Sequence, residues 1–562
     1  MSPRPPGGLA LPPVLDLSRN EGDRPPEDVL SNLSPRVPDL LRDYLEPDAL
    51  EADLAEMVGV SPDRVMVTTG GDDGLDRVFR AFVSPGQSVA YPVPTFEMIP
   101  AFARMAGAEI QEISYDWGAL PVNALADAGA DGAALVAIIS PDNPTGTAAS
   151  TEELVGLAKR LSPEVTLLVD QAYVEFGDED PTAELLGYPN VVLVRTLSKA
   201  WGLAGLRVGY AVSTQARVSA MRRVGGPYPV SSLGLELARV RLAQGRSRMT
   251  AFVAETRERR ARLTTLLRSM GGDPLPSQAN FVTARFPNPA FVANGLAALG
   301  IRIRRFPHLP EHLRITVPRN DGEMERLEAA SRALIRPEAL LFDMDGVLAD
   351  VRDSYRAAIV ETCAAFGVEI RPEDIARAKA RGNANDDWAL TQELLGEAGV
   401  DASLQAVTER FEGLYQGTEG APGFHIRESP ILTHRALGEA AERFPLGIVT
   451  GRPRGDAVRF LNRHGLADLF QVVICREDAP LKPNPEPVRM ALAGLGVGSA
   501  WFFGDTPDDV RAAVAAGVVP VGVIPPGGGD VEEQALTEAG AAVSVDPATA
   551  LTMALRTKEM AA

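Results

Sequence analysis

Arg195-Thr-Leu-Ser198-Lys199-Ala-Trp-Gly-Leu-Ala-Gly-Leu-Arg207 sets a lysine in a loop of small residues, directly after a serine and eight positions before an arginine. A lysine fixed in this way can form a Schiff base with a carbonyl, and a hydroxyl and a guanidinium beside it can hold a phosphate. Taken alone, a Ser-Lys pair is a surface loop far more often than a site.

Four other segments supply what that lysine would need. Asp170, in Asp170-Gln-Ala-Tyr173, follows an apolar run, and a carboxylate there can pair with a pyridinium nitrogen and keep it protonated as an electron sink. Asn143, in Ser140-Pro-Asp-Asn143-Pro-Thr-Gly146, and Tyr173 can donate to a phenolate oxygen on the same ring. Gly70-Gly71-Asp72-Asp73 opens a helical pattern and offers backbone N–H groups to a phosphate. Phe96, in Pro92-Val-Pro-Thr-Phe96, can stack on the ring. Each has a plain counterpart: a Pro/Gly turn, a solvated carboxylate, a glycine-rich helix start, a core aromatic.

A second set lies further along. Asp343-Met-Asp345-Gly follows the apolar run Ala339–Phe342; one carboxylate of such a pair can attack phosphorus while the other protonates the leaving oxygen. Thr450 ends another apolar run, Lys482 precedes Pro-Asn-Pro485, and Asp505-Thr-Pro-Asp508-Asp509 ends a third. Lys482 with a magnesium ion would neutralise a phosphoryl group. Asp505 is the expected metal ligand, and Asp509 would bind the ion or orient it through water, because an oxygen-only set suits Mg²⁺.

Positioning these residues requires strands that end beside one another. Val65–Thr69, Ser88–Tyr91, Leu135–Ser140, Thr166–Val169 and Val191–Val194 are short apolar or β-branched runs, with helical patterns such as Thr151–Leu161 between them. That alternation predicts an α/β fold with a mostly parallel sheet. A second series follows: Ala339–Phe342, Leu446–Thr450, Val472–Cys475, Ala500–Phe503 and Val518–Val523. Between its first two members the chain is rich in helix formers, which predicts a helical insertion from about Ser354 to Glu428. A helix ending near Leu334 and Pro337 after it place the boundary at Arg336–Pro337, giving domains over residues 1–335 and 336–562 with a short tether.

Length and charge narrow the class. The chain has 562 residues, 45% of them hydrophobic, enough for several cores. With 55 Lys and Arg against 75 Asp and Glu, the net charge of −20 disfavours nucleic acid as a partner. Two cysteines and five scattered histidines exclude a disulfide framework and a zinc site. No apolar run approaches a bilayer span, and the stretch Gly8–Leu17 is broken by Pro12, Pro13 and Asp16, a poor signal peptide, so a cytoplasmic location is expected.

The first set, over most of residues 15–335, resembles the fold-type I aminotransferases of class I/II, and most closely the group of histidinol-phosphate aminotransferases and threonine-phosphate decarboxylases. The matching pieces run in family order: Asn20-Glu21, Tyr44, Gly70-Gly71-Asp72, Phe96, Asn143-Pro-Thr-Gly146, Asp170-x-Ala-Tyr173, Ser198-Lys199, Arg207, Gln278-Ala-Asn280-Phe281, Arg304 and Leu313-Arg314-Ile-Thr316. The resemblance implies pyridoxal 5'-phosphate as cofactor, with Lys199 carrying it and shuttling the proton. Asp170 would pair its ring nitrogen, Asn143 and Tyr173 its ring oxygen, and Ser198, Arg207 and the Gly70–Asp72 backbone its phosphate. It further implies a homodimer in which Tyr44 reaches the neighbouring subunit's cofactor, and a substrate carboxylate or other anion gripped by Arg314, assisted by Arg304. The chain departs from the family in three places: Asn20-Glu21-Gly22-Asp23, Asp43 before Tyr44, and Tyr228-Pro229-Val230. All three bear on substrate rather than cofactor.

The second set, over about residues 338–525, resembles the haloacid dehalogenase superfamily in its phosphatase branch, with a helical cap. That implies Asp343 as nucleophile, Asp345 as general acid and then base, Thr450 and Lys482 on the phosphoryl group, and Asp343, Asp345, Asp505 and Asp509 around Mg²⁺. The cap segment Gly382-Asn-Ala-Asn-Asp386-Asp387-Trp388 would face substrate or form a cap loop. A phosphomutase shares the Asp-x-Asp pair. Together the halves imply a bifunctional enzyme in which a phosphorylated keto compound is transaminated, with glutamate as donor, and then dephosphorylated, as in two successive steps of histidine synthesis. The alternatives are the same chemistries on another phospho-amino compound, or a threonine-phosphate-type decarboxylation. A ligand-sensing role is disfavoured by the full set Lys199, Asp170, Asp343 and Asp505.

Overall fold

The computed structural model describes residues 14–25, 36–382 and 385–559; residues 8–13 of the N-terminal apolar stretch and Asn383 and Ala384 of the cap segment lie outside them. The chain forms two compact units, one of residues 17–287 with 303–325, the other of residues 14–16, 288–302 and 326 onward.

The first unit is built on seven strands in the order Val65–Thr68, Gly209–Val212, Val191–Thr196, Thr166–Asp170, Leu135–Ile139, Ser88–Val93, Glu109–Ser114. All run parallel except Gly209–Val212, which is antiparallel to both neighbours. Thr166–Asp170 and Val191–Thr196 are buried throughout, which is why they read as unbroken apolar runs rather than alternating ones. Their side chains still alternate between faces. Leu167, Val169 and Leu193 join one core, and Leu168, Val192 and Val194 the other. The helices Gly70–Phe82 and Thr151–Arg160 flank the sheet, the second opened by a capping box between Ser150 and Glu153. Two strands escape a reading of apolar runs: Glu109–Ser114 is a half-exposed edge, and Gly209–Val212 follows the Arg207 loop directly. Phe281–Arg285 and Leu309–Thr316 form an antiparallel pair, and Leu309–Thr316 also pairs with Ile301–Phe306, setting Arg304 opposite Arg314.

The second unit carries six parallel strands in the order Val472–Ile474, Leu446–Val449, Ala339–Phe342, Ala500–Gly504, Val519–Val523, Val543–Val545. Between the first two in sequence stand the helices Tyr355–Ala365, Pro372–Arg381, Asp387–Glu397 and Leu404–Gln416. The chain leaves for this insertion and returns through paired strands, Ala349–Asp350 against Ser429–Pro430. Residues before Pro337 share this unit's core. The indole Nε1 of Trp501 donates to the carbonyls of Ala333 and Leu334 at 3.3 and 3.2 Å, and Phe291 packs edge-on against the same indole at 5.4 Å. No helix among the described residues is long and apolar enough to cross a membrane.

Candidate active sites

In the first unit the C-terminal ends of the parallel strands open on a cavity of about 310 Å³ lined by Asn20, Asp72, Phe96, Asn143, Asp170, Tyr173, Ser198, Lys199, Arg207, Arg304 and Arg314. Residues spread over nearly three hundred positions therefore meet in one place, at the strand ends where α/β folds bind ligands. Asp170 ends its strand 6% exposed, and its Oδ1 accepts from the Ala172 N–H at 2.9 Å. Burial first, with Asp72 and Asp142 adding to it, pushes its carboxyl up to about 7. A carboxylate so placed favours a cationic partner, which a protonated pyridine nitrogen would be. Lys199 is half-buried, its Nζ 5.7 Å from the centre of the Tyr173 ring and 3.4 Å from the Arg19 carbonyl. The Tyr173 hydroxyl accepts from Asn20 Nδ2 at 3.1 Å, and its ring meets Phe281 edge-on at 5.2 Å.

The end of the cavity at Ser198 and Arg207 is made by local geometry. Thr196 Oγ1 donates to Ser198 Oγ at 2.9 Å and accepts from the Ser198 N–H at 3.1 Å, which holds the loop before Lys199. Arg207 takes a left-handed backbone conformation, φ 53°, and turns Nη2 to Asp72 Oδ2 at 3.2 Å. Gly70, also left-handed at φ 74°, holds a backbone conformation that strains any other residue, and its missing Cβ leaves room for the Arg207 guanidinium. The Gly70–Phe82 helix begins at this point without a side-chain cap, so its first N–H groups are available to an anion.

Arg314 is 5% exposed; Nη1 donates to Asn143 Oδ1 and Nη2 to the Ser18 carbonyl at 2.9 Å, while buried Nε has no partner among the described residues. Burial lowers its guanidinium to about 10, so an anion delivered to it would meet little competing solvent. Arg304 is more open and pairs with Glu97 at 3.6 Å. Tyr44 does not line this cavity; it is 80% exposed and stacks on Tyr228 at 4.8 Å.

In the second unit Asp343 follows the central strand Ala339–Phe342, its N–H donating to the Phe503 carbonyl at 2.8 Å. Lys482 Nζ lies 2.8 Å from Asp343 Oδ1, 2.5 Å from Asp509 Oδ1 and 3.2 Å from the Val449 carbonyl. Burial works against the lysine's charge, but Asp343 and Asp509 outweigh it and hold the ammonium above its usual range. Asp509 is aimed by a capping box that opens the helix Pro507–Ala516: Thr506 donates to its Oδ2 from N and Oγ1 at 3.0 and 2.7 Å, leaving Oδ1 for the site. Gly346 is left-handed, φ 75°, and a Cβ on it would strike Asp505 Oδ2. Thr450 is buried at the next strand end, its N–H on the Ile474 carbonyl at 2.9 Å.

Asp343, Asp505 and Asp509 can each turn one oxygen to a common point, these atoms lying within 4.8 Å of one another. Burial pushes Asp343 up to about 7, against the pull of Lys482, and holds Asp505 well above the usual carboxylate range. Lys482 faces Asp343 and Asp509, Arg356 stands 4.0 Å from Asp505, and the all-oxygen donor set fits a hard divalent cation such as Mg²⁺. Asp345, expected from the sequence to join the ligands, is not one of these three. Its Oδ1 is taken by Nε of Arg452, a buried guanidinium that needs a counter-charge.

Several contributors carry weak sequence signals. Asn20 bonds Thr316 and Tyr173 and receives Asn280 on its carbonyl, yet it precedes Tyr173 by more than a hundred and fifty residues. Asp142, fully buried beside Thr145 and pushed up to about 7 by burial, hides in a Pro-rich turn. Arg452 stands two residues after Thr450, within reach of the motif; Glu428, its second acid, follows the last cap turn with nothing to mark it.

The first unit is thus an α/β scaffold whose lysine, aspartate, serine and arginine are suited to pyridoxal phosphate, and the second a cluster of aspartates about a lysine suited to phosphate esters. Residues 14–330 match the family aminotransferase class I and II, and the chain belongs to that family. Residues 340–523 match haloacid dehalogenase-like hydrolase, so the chain combines a transferase with a hydrolase. Histidinol-phosphate aminotransferase 1 of a Nostoc species is 33% identical over 324 residues, 56% of this chain and 90% of that one. An imidazoleglycerol-phosphate dehydratase of Phytophthora nicotianae is 47% identical over 197 residues, 34% of this chain, but the chain spans only 44% of that relative's length. The crystal structure of histidinol-phosphate aminotransferase from Sinorhizobium meliloti in complex with pyridoxal-5'-phosphate aligns with a TM-score of 0.53 at 28% identity, covering 57% of this chain and 91% of that one.

Proposed function

We propose that the chain converts imidazole acetol phosphate to histidinol phosphate with glutamate as amino donor, and then hydrolyses histidinol phosphate to histidinol. The observation that carries this is the presence, in one chain, of a lysine-aspartate pocket in a unit similar to histidinol-phosphate aminotransferases and a separate aspartate centre for phosphate esters. The similarity to imidazoleglycerol-phosphate dehydratase over a third of the chain supports the same class of imidazole-bearing ester.

In the first unit pyridoxal phosphate would supply the electron sink. Asp170 would hold its ring nitrogen, Asn143 and Tyr173 its ring oxygen, Phe96 its face, and Ser198, Arg207 and the Gly70–Asp72 N–H groups its phosphate. Lys199 Nζ would take the proton from the substrate carbon and return it one position away. Arg314, with Asn143 already on Nη1, would bind the donor carboxylate, and Arg304 would serve the anionic end of the phosphorylated substrate. Tyr44 would complete the site of a second subunit in a homodimer. A fully active monomer in sedimentation would refute that role.

In the second unit an Asp343 oxygen attacks phosphorus, the P–O ester bond breaks, and Asp345 gives its proton to the departing oxygen. Asp345 then removes a proton from water, whose oxygen attacks the phosphorus of phosphorylated Asp343, releasing phosphate and restoring both carboxyl groups. Thr450 and Lys482 hold the phosphoryl oxygens. Mg²⁺ on Asp343, Asp505 and Asp509 would add the positive charge this transfer needs. The working division is residues 1–335 for transamination and 336–562 for hydrolysis, with the cap about 354–428, in a cytoplasmic protein.

The deciding experiment measures phosphate release from histidinol phosphate with Mg²⁺ against a panel of phosphomonoesters, alongside 2-oxoglutarate-dependent amine consumption. A strong preference for histidinol phosphate is expected. Preference for another phospho-amine would keep both chemistries and move them to a different substrate.

A further inference from the structure

The Arg452 side chain is 0% exposed and lies between two carboxylates: Nε on Asp345 Oδ1 and Nη1 on Glu428 Oε2 at 3.0 Å. Its faces are closed by the rings of Tyr355 at 4.9 Å and Phe460 at 5.6 Å. Glu428 is itself fixed, its Oε1 accepting from Ser354 Oγ at 2.9 Å and from Tyr415 OH at 3.0 Å. Ser354 and Glu428 are the two ends of the helical insertion, and Tyr355 and Tyr415 belong to its first and last long helices. Hydrogen bonds therefore run without a break from the stem of the cap to the carboxylate beside the nucleophile.

A buried charge cluster of this kind brings little stability of its own, because desolvation offsets the attraction and apolar side chains of like volume serve a core as well. What it does bring is orientation. We propose that Arg452 is a positioning residue for Asp345, and that Glu428 holds Arg452 in place for that purpose. This rests on the phosphatase reading of Asp343 and Asp345. The Nε–H donates to Oδ1 whether Asp345 is charged or neutral, which leaves Oδ2 to carry the proton toward the ester oxygen as the P–O bond breaks and the bond from Asp343 to phosphorus forms. Glu428 supplies Arg452 with a counter-charge, so the guanidinium does not depend on Asp345 alone for neutralisation.

The test uses the full chain with Mg²⁺ and two kinds of ester. p-Nitrophenyl phosphate leaves without help from an acid, whereas histidinol phosphate and phosphoserine expel an alkoxide that needs a proton. For Arg452→Lys the ratio of kcat/KM on p-nitrophenyl phosphate to kcat/KM on the alkyl esters, which reports transfer to Asp343 before the hydrolysis step common to all esters, should rise about tenfold or more, since a well-placed acid contributes at least that much. Glu428→Gln should move the ratio the same way by less, and Arg452→Lys should add nothing in an Asp345→Asn background. A ratio unchanged while all rates fall together would mean a merely structural role and overturn the proposal. Should Arg452→Lys not fold, Tyr415→Phe removes one donor to Glu428 and no atom of the charged cluster. The same ratio is then measured: a rise supports the positioning role, and an unchanged ratio overturns it. Wild-type protein active on p-nitrophenyl phosphate and phosphoserine but not on histidinol phosphate would sink the substrate reading and leave this test intact. Wild-type protein inactive on every ester would overturn both.

Discussion

Arg304 and Arg314 face each other across the antiparallel strands Ile301–Phe306 and Leu309–Thr316, yet they occupy opposite environments. Arg314 is buried against Asn143 with one nitrogen unpartnered among the described residues, while Arg304 is open and leans on Glu97. Two guanidiniums at one mouth, one dry and one wet, suit an anion bound tightly at one end and more loosely at the other.

Arg314→Lys should therefore raise KM for glutamate and for 2-oxoglutarate by about 10- to 100-fold, the value of one or two charged hydrogen bonds at roughly 1.5–3 kcal/mol. Arg304→Gln should act mainly on the phosphorylated partner, and by less. Steady-state kinetics with each substrate varied would decide, and an unchanged glutamate KM in Arg314→Lys would remove the carboxylate from that arginine.

Lys199→Ala should abolish transamination and leave Mg²⁺-dependent phosphate release near its wild-type rate, and Asp343→Asn should do the reverse. Both activities are to be measured on the same preparations. A single substitution that silenced both would contradict two independent sites.

The cofactor-free protein should show a pH dependence that Asp170 explains. Its carboxyl stands near 7 in the folded chain against an ordinary 3.8, so between these values the folded state binds the extra proton and stability falls as pH rises. Asp170→Asn removes that burden. Without cofactor it should melt higher than wild type at pH 8, by an amount on the order of a few kcal/mol at most, and nearly equally at pH 4, while binding pyridoxal phosphate much more weakly. Thermal melts at the two pH values provide the check, and no difference at pH 8 would mean Asp170 is not charged and buried as described.

Trp501 predicts that the phosphatase half does not separate cleanly at Pro337. Its indole loses the Ala333 and Leu334 carbonyls and the Phe291 ring if the chain begins at residue 336. Leu334→Ala in the full chain should cost about 2–5 kcal/mol, the range for truncating a buried leucine. The fragment 336–562 should melt lower than the full chain by calorimetry; an equal melting temperature would show that this shared packing is dispensable.

How much of this is legible before folding depends on distance along the chain. Asp170, Lys199, Asp343, Thr450 and Asp505 each sit at the end of an apolar strand or within three residues of it, so a short window shows both the element and the group it presents. The strand Ala339–Phe342 is readable to the residue because it is buried on both faces. Glu109–Ser114 is not, since a half-exposed edge strand with polar side chains resembles a loop.

The sequence by itself determined which groups are available for chemistry: a lysine beside a serine with an arginine eight residues on, an aspartate pair with a lysine and an acid cluster, and two α/β sheets to carry them. These are local facts, since a motif is a strand end and the few residues after it. Only the tertiary structure decided which way side chains turn and what they meet at long range. It drew Asp345 from the acid cluster to Arg452, tied Arg452 to Glu428 at the stem of the cap, set Asn20 on Tyr173, and gave residues 288–302 and 326–335 to the core of the second unit. Such pairings are settled by register, by burial and by the need of each buried charge for a counter-charge, and those are properties of the packed chain rather than of any segment within it.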